Sequence, residues 1–144
     1  MLELLPISFT LGSLVKVFLI MSINMFLSYT WYSPIGFQKQ WMQAVQWKED
    51  DQCNSTAVLM SNIGALLNSF LLNILLIAFD IRKQQYLSAM LASAILCGFY
   101  TFNGWNSVFF GKKIEYTQRR TLYLLDIGFT FVLYTLISFV LISF

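Results

Sequence analysis

Long apolar segments separated by short clusters of charged residues organise this sequence. Four of these segments contain only two charged residues between them, Lys16 and Asp126. An α-helix rises about 1.5 Å per residue, so about 20 apolar residues cross a hydrocarbon core of roughly 30 Å. Each segment is therefore long enough for one crossing. The pattern predicts four transmembrane helices near 10–32, 55–79, 85–110 and 121–143.

The connection after the first segment has a helical pattern of its own. Phe37, Trp41 and Val45 recur every fourth residue, and glutamines and Lys39 occupy most positions between them. That spacing favours a short amphipathic helix near 37–48 in the headgroup region, either as an anchor or as a docking surface for a partner. The predicted fold class is all-α: an integral membrane four-helix bundle with a short interfacial helix. Residues 1–144 are expected to form a single transmembrane domain.

The composition excludes several classes of protein. Of the 144 residues 58% are apolar and 11% are charged, where soluble proteins are about 25% charged. Too few polar residues are present to cover the surface of a small soluble domain, and the apolar content excludes disorder. A net charge of +2 supplies no basic face, so no nucleic acid is expected as a partner.

The distribution of Lys and Arg predicts the orientation in the membrane. Six of these residues lie in the connections between the first and second and between the third and fourth segments: Lys39, Lys48, Lys112, Lys113, Arg119 and Arg120. On the opposite side of the membrane lie Arg82 and Lys83, in the connection between the second and third segments, and Lys16 if it is counted with that side. Because positive residues accumulate in cytoplasmic loops, both termini are expected on the non-cytoplasmic side.

The inventory of reactive groups argues against catalysis. The chain contains no histidine, so Ser-His-Asp triads, Cys-His dyads and the usual zinc sites cannot form. Cys53 and Cys97 are expected at different depths in the membrane, too far apart for a disulfide. We expect no catalytic residues, no metal site and no cofactor.

Polar residues inside the predicted helices lie at helical spacings. On the second helix Asn62, Ser69 and Asn73 share one face, and the opposite face is Leu and Phe, which predicts that the Asn side turns inward. On the third helix small or polar residues repeat every fourth position, and Ala94 and Gly98 lie beside them; the repeat consists of Ala89, Ser93, Cys97 and Thr101. Such spacing is typical of close helix packing, within a bundle or across a dimer interface. A substrate path lined by polar side chains is the alternative.

Asp126 is the one acidic residue inside a predicted span. With the helix starting near 121, it would lie close to the favourable end of the helix dipole, within reach of Arg119 or Arg120. The functional alternative is a carboxylate that binds a proton or a cation. Lys16, on the opposite side of the membrane, is expected to extend to the surface or to pair with Asp80.

Three segments resemble a known family. Trp31-Tyr32-Ser33-Pro34-Ile35-Gly36-Phe37-Gln38-Lys39-Gln40-Trp41 resembles the W-Y-S-P-x-x-F-G-K-x-W signature of the domain-of-unknown-function 1761 family of small four-span membrane proteins. Asn106 to Lys112 resembles its N-x-x-F-E-G-K segment, and Leu124 to Phe129 its L-I-x-A-G-Y segment. Gln38 replaces a Gly of the signature and Phe110 replaces a Glu. The resemblance implies a four-helix architecture with no assigned function.

The signature supplies the best candidates for a shared site, which are Trp31, Tyr32, Ser33, Pro34, Phe37, Lys39 and Trp41. Physically they combine a helix stop, aromatic rings and a cation at the level of the headgroups. They could anchor the fold, or they could bind an anionic lipid headgroup through Lys39.

Two functions follow from the sequence. The first is a non-catalytic structural or accessory subunit of a membrane complex or homo-oligomer, whose partners are the lipid bilayer and other membrane protein chains or further copies of itself. The alternative is a small transporter or channel whose path is lined by intramembrane polar residues, namely Asn62, Asn68, Asn73, Asn103, Asn106 and Asp126. The two differ in whether the Asn face is sealed by packing or opens to a cavity around Asp126.

Overall fold

Five helices make up the described part of the chain. The computed structural model describes residues 11–48, 55–111 and 114–143, and these contain no β-strand. The helices are α1 (Leu11–Trp31), α2 (Gln38–Val45), α3 (Ser55–Ala78), α4 (Tyr86–Phe110) and α5 (Tyr116–Ser143). All but α2 are long and apolar enough to cross a membrane. The predicted all-α, four-span architecture and the short helix near 37–48 are confirmed.

The last helix begins earlier than the charge pattern predicts. We expected its start near 121, and α5 begins at Tyr116. A gap between charges marks the hydrocarbon layer, whereas a helix continues as long as its backbone hydrogen bonds can form. Arg119 and Arg120 are good helix formers, so α5 extends by more than a turn beyond its apolar part.

α5 is the central helix of the bundle, because it contacts each of the other four. Its core side chains Leu133, Tyr134 and Ile137 pack with Ile20 from α1 and with Leu72 from α3. The outward faces remain apolar: the side chains of Phe18 and Phe26 are 71% and 73% exposed. Such exposure on long helices fits contact with lipid rather than water, as expected of a multi-pass membrane protein.

The repeat of small residues on α4 packs against α5. Ala89, Ser93 and Cys97 are buried, and Ser93 Oγ lies 3.0 Å from Ser138 Oγ and 3.1 Å from the carbonyl oxygen of Tyr134. Small side chains permit this close approach of two helix backbones. The packing interpretation is therefore confirmed for this stripe.

The Asn side of α3 turns inward, as predicted. Asn62 is buried, whereas Leu67 and Leu71 on the other side are exposed. Asn24 on α1 donates from Nδ2 to Asn62 Oδ1 at 3.1 Å, and Asn62 Nδ2 donates to the carbonyl oxygen of Val58 at 3.0 Å. An amide at membrane depth needs such partners because no water is available. At Asn62 this face is thus closed by α1.

Two expectations about charged and sulfur groups have different outcomes. Asp80 pairs with Arg82 at 3.1 Å, so the alternative pairing of Lys16 with Asp80 is wrong; a partner two residues away is closer than one on another helix. Cys97 is a buried free thiol. Cys53 lies outside the described residues, so the absence of a disulfide stays a prediction.

Candidate functional site

The signature segment, residues 31–41, ends α1 in a compact turn. The backbone N–H of Phe37 donates to the carbonyl oxygen of Trp31 at 2.7 Å. The backbone N–H of Gly36 donates to the carbonyl oxygen of Ser33 at 2.9 Å. Ser33 Oγ donates to the carbonyl oxygen of Thr30 at 2.8 Å. These bonds satisfy carbonyl groups left over at the end of the helix. The turn therefore fixes where α2 starts relative to α1.

Gly36 is required by the closeness of this turn. A Cβ atom at this position would lie 2.5 Å from the carbonyl oxygens of both Thr30 and Trp31. Both contacts are with backbone atoms, which cannot move aside without opening the turn. A side chain of any kind is therefore excluded by space rather than by backbone conformation.

Aromatic rings of the signature segment pack onto α5. The Trp31 ring lies 4.8 Å from Phe37 and 6.1 Å from Phe129 between centroids, and Tyr32 lies 5.7 Å from Phe129. Gly128 leaves room for Trp31, since a Cβ there would lie 3.1 Å from the indole ring. Aromatic pairs of this kind stabilise packing beyond their buried area. The first and third segments that resemble the family thus meet in space.

A cleft of about 670 Å³ opens beside this aromatic packing. It is bounded by the end of α1, by α2, by α4 and by the first turns of α5. Its lining residues are Tyr32, Trp41, Tyr100, Gly104, Ile114, Arg119, Leu122, Tyr123, Leu125 and Asp126. None of them comes from α3. We call this the Asp126 cleft.

Asp126 is held in the cleft by a residue that sequence reasoning missed. Tyr100 Oη donates to Asp126 Oδ2 at 2.7 Å, which joins α4 to α5 at this point. Because α5 begins at Tyr116, Asp126 lies about 15 Å from the helix start. The dipole effect fades within the first turn, so the predicted role as a helix-terminus stabiliser is wrong.

Two other tyrosines shape the walls. Tyr123 Oη donates to the carbonyl oxygen of Thr101, across from α5 to α4. The Tyr32 and Trp41 rings pack at a tilt, with their centroids 5.5 Å apart. Burial, together with the nearby Asp126 carboxylate, raises the pKa of Tyr32 to about 12. Its phenol therefore stays neutral and is available as a hydrogen-bond donor at physiological pH.

The signature residues divide between the core of the turn and its surface. Ser33 is buried and Trp31, Tyr32 and Trp41 are partly buried, whereas Pro34, Phe37 and Lys39 are exposed. Lys39 and Pro34 border a second hollow under α2, which is also lined by glutamines and Trp47. Only Tyr32 and Trp41 of the signature reach the Asp126 cleft.

The residues predicted to line a transport path are not brought together. Asn62 is buried against α1, Asn68 and Asn73 are partly buried on α3, and Asn106 is exposed. The side chain of Asn103 lies outside what the structure describes. The cleft is lined by none of the four described asparagines, so the Asn face and Asp126 belong to different parts of the bundle.

Some of the missed residues carry a signal that the sequence could have revealed. Asn24 is an amide inside an apolar helix, and the rule applied to Asn62 points equally to it. Tyr100 and Tyr123 carry no such signal, because a tyrosine in a span is common near membrane surfaces. Their roles depend on the register between α4 and α5.

Among the described residues no three Cys, Asp or Glu side chains converge on a possible metal position.

Comparison with known proteins gives one result. A family model described as a protein of unknown function, DUF1761, matches residues 15–142. No curated protein and no solved structure matches the chain. The match extends from α1 to the end of α5 and includes the signature segment and the Asp126 cleft. The chain therefore belongs to the DUF1761 family.

Proposed function

We propose that this chain is a non-catalytic membrane protein that acts through helix packing, as a structural or accessory subunit of a homo-oligomer or a larger membrane complex. The supporting observation is the way its interior polar groups are used. Asn62 is bonded to Asn24 and Ser93 to Ser138, each pair joining two helices. These polar groups serve contacts between helices, which supports a role in packing.

An outward face of α4 offers a surface for such contacts. Ala94 and Gly98 are exposed, and a Cβ added at Gly98 would meet no atom within 4 Å. Leu91 and Ile95 beside them are also exposed. Four-residue spacing of small residues lets two identical helices approach closely, and a two-fold interface uses the same patch on both copies. The occupant we propose is therefore a second copy of this chain.

Substitution of Gly98 tests this interface. Gly98→Leu fills open space, so we expect the fold to be retained and the assembly in gentle detergent to dissociate, as measured by light scattering after gel filtration. Gly64→Leu is the matched control, since a Cβ at Gly64 also meets nothing within 4 Å but lies on α3. Wild-type protein that runs as a lone monomer, with no co-purifying chain, would contradict the proposal.

The orientation forms part of the proposal. Lys and Arg are concentrated between α1 and α3 and between the end of α4 and the first turns of α5, which favours a cytoplasmic position for both regions and a non-cytoplasmic position for both termini. Reporter fusions at the end of the chain and in the α4–α5 connection would distinguish the two orientations. A reporter that works only in the cytoplasm should be active in the α4–α5 connection and inactive at the end of the chain.

Transport through the Asp126 cleft is a second candidate. It is favoured by one observation, the carboxylate of Asp126 within a cavity. In this case Asp126→Asn should abolish proton flux into proteoliposomes driven by a potassium diffusion potential. Equal flux for wild type, variant and empty liposomes would contradict it.

A further inference from the structure

The Asp126 cleft presents opposite charges at two depths. Arg119 and Asp126 both line it, and seven residues along a helix return a side chain to nearly the same face. Their separation along α5 is about 10 Å. Arg119 lies nearer the helix start at Tyr116, and Asp126 lies deeper in the apolar part of α5. One cavity therefore has a cationic end at Arg119, which we call its mouth, and an anionic end at Asp126, which we call its floor.

The space around Asp126 is walled by aromatic rings. Tyr32, Trp41, Tyr100 and Tyr123 all line the cleft. The faces of such rings attract cations, most strongly ammonium groups that are shielded from water. Tyr100 occupies one oxygen of Asp126, and a carboxylate has acceptor sites left for a further donor. The floor of the cleft therefore suits an ammonium group.

Arg119 argues against a simple cation as the ligand. A single positive charge would be attracted to Asp126 and repelled at the mouth, whereas an anionic group attached to it would be attracted by the guanidinium. We propose that the Asp126 cleft binds a small zwitterion, with its ammonium group among the aromatic rings at Asp126 and its phosphate at Arg119. The cavity of about 670 Å³ is of the size that small-molecule sites have.

The order of the charges distinguishes a free ligand from a membrane lipid. In a phosphocholine headgroup of the surrounding leaflet, the phosphate lies nearer the hydrocarbon and the ammonium nearer the water. The cleft has the reverse order, because Asp126 is the deeper residue. A free zwitterion that enters with its ammonium group first matches this order, and this is the source to which the proposal commits. It is independent of the packing function.

Calorimetry on the purified chain in lipid-free detergent tests this with three probes: phosphocholine, choline and inorganic phosphate. Phosphocholine is expected to bind at least about tenfold more tightly than either fragment, because only it engages both charges. Asp126→Asn should weaken the binding of phosphocholine and choline and leave the binding of phosphate unchanged. Arg119→Gln should weaken the binding of phosphocholine and phosphate and strengthen the binding of choline, because the guanidinium no longer repels the cation.

Matched variants exclude general effects. Asp80→Asn and Arg82→Gln remove the charges of an exposed pair outside the cleft and should not change binding. Tyr100→Phe keeps the ring and removes the hydroxyl donor to Asp126, so it tests the floor if Asp126→Asn fails to fold. Phosphocholine that binds no better than its fragments would overturn the proposal. Binding of phosphatidylcholine but not of free phosphocholine would overturn the free ligand in favour of the lipid.

Discussion

Asn24 Nδ2 donates to Asn62 Oδ1 at 3.1 Å and thereby joins α1 to α3 inside the bundle. Both side chains are buried, and Asn24 Nδ2 also lies 3.3 Å from Ser61 Oγ. Removing Asn24 leaves Asn62 Oδ1 without this donor, and removing Asn62 leaves Asn24 Nδ2 with only the longer contact to Ser61 Oγ. The cost is moderated because the unfolded chain in a membrane also finds polar partners.

A double-mutant cycle measures this bond. Asn24→Ala and Asn62→Ala should each lower the free energy of unfolding, and their coupling should be about 0.6–1.7 kcal/mol. Unfolding in mixed micelles, followed by circular dichroism, gives all four values. Asn106→Ala at an exposed position is the control, with an expected change within about 0.5 kcal/mol. Additive effects of the two substitutions would show that the bond is not formed.

Gly36→Ala should disrupt the turn after α1. The new methyl group would lie 2.5 Å from two carbonyl oxygens, so the turn must open and the signature rings must shift from Phe129. We expect a loss of about 1–3 kcal/mol of stability, measured by thermal unfolding, and a change in near-ultraviolet circular dichroism from the displaced rings. Ile35→Ala, at a side chain 91% exposed, should change neither signal.

Gly104→Ala and Gly64→Ala should have opposite effects. A Cβ at Gly104 would lie 2.7 Å from the Tyr123 ring, which its hydroxyl holds on Thr101, so the ring cannot turn aside freely. A Cβ at Gly64 meets no atom within 4 Å, and Ala is a better helix former than Gly by about 1 kcal/mol. The first variant should be less stable than wild type and the second equally or more stable. Similar melting temperatures for the two variants would contradict the described packing of α4 on α5.

Ser93→Leu should separate α4 from α5. Ser93 is fully buried and lies against Ser138 and the carbonyl oxygen of Tyr134. A larger side chain at this contact is expected to cost about 1–3 kcal/mol or more. Ala57→Leu places the same side chain at an exposed position of α3, outside the proposed interface, and should leave the unfolding free energy nearly unchanged. A comparable loss in both variants would mean that the stripe does not face α5.

Alkaline pH should weaken the contact of Tyr32. The phenol has a pKa of about 12 in the folded chain against 10.0 for the free side chain, so the folded state holds its proton more tightly. The resulting stabilisation is complete below pH 10 and is lost as the pH rises from 10 to about 12. Tyr32→Phe should flatten the fall of melting temperature over that interval. The melting temperature of Tyr29→Phe, a change at an exposed side chain, should fall over the same interval as that of the wild type does.

Local patterns account for most of the architecture. The segments with few charged residues predict the four spans because lipid imposes a minimum apolar length that few other environments require. The repeat of Ala89, Ser93 and Cys97 predicts a packed face because only small side chains allow close backbone contact. Gly111 and Pro34 mark ends of helices, and the structure ends α4 at Phe110 and α1 at Trp31.

The candidate site was only partly predictable. Asp126 and the signature residues Tyr32 and Trp41 are visible in the sequence, but nothing local connects them. The error over the start of α5 changed the meaning of Asp126, since its distance from the helix end decides whether a dipole can stabilise it. The Asn face of α3 and Asp126 looked like one path, yet Asn62 is bonded to α1 and Asp126 to α4.

By itself the sequence determined the class of protein, the number of spans, the inward face of α3 and the packed stripe of α4, because each depends on how one segment meets lipid. Only the tertiary structure decided that Asn24 is the partner of Asn62, that Tyr100 is the partner of Asp126, and that Arg119 shares a cavity with that carboxylate. Those relationships depend on the rotation and register of helices against one another. They arise from the summed packing of many side chains, which no single segment encodes.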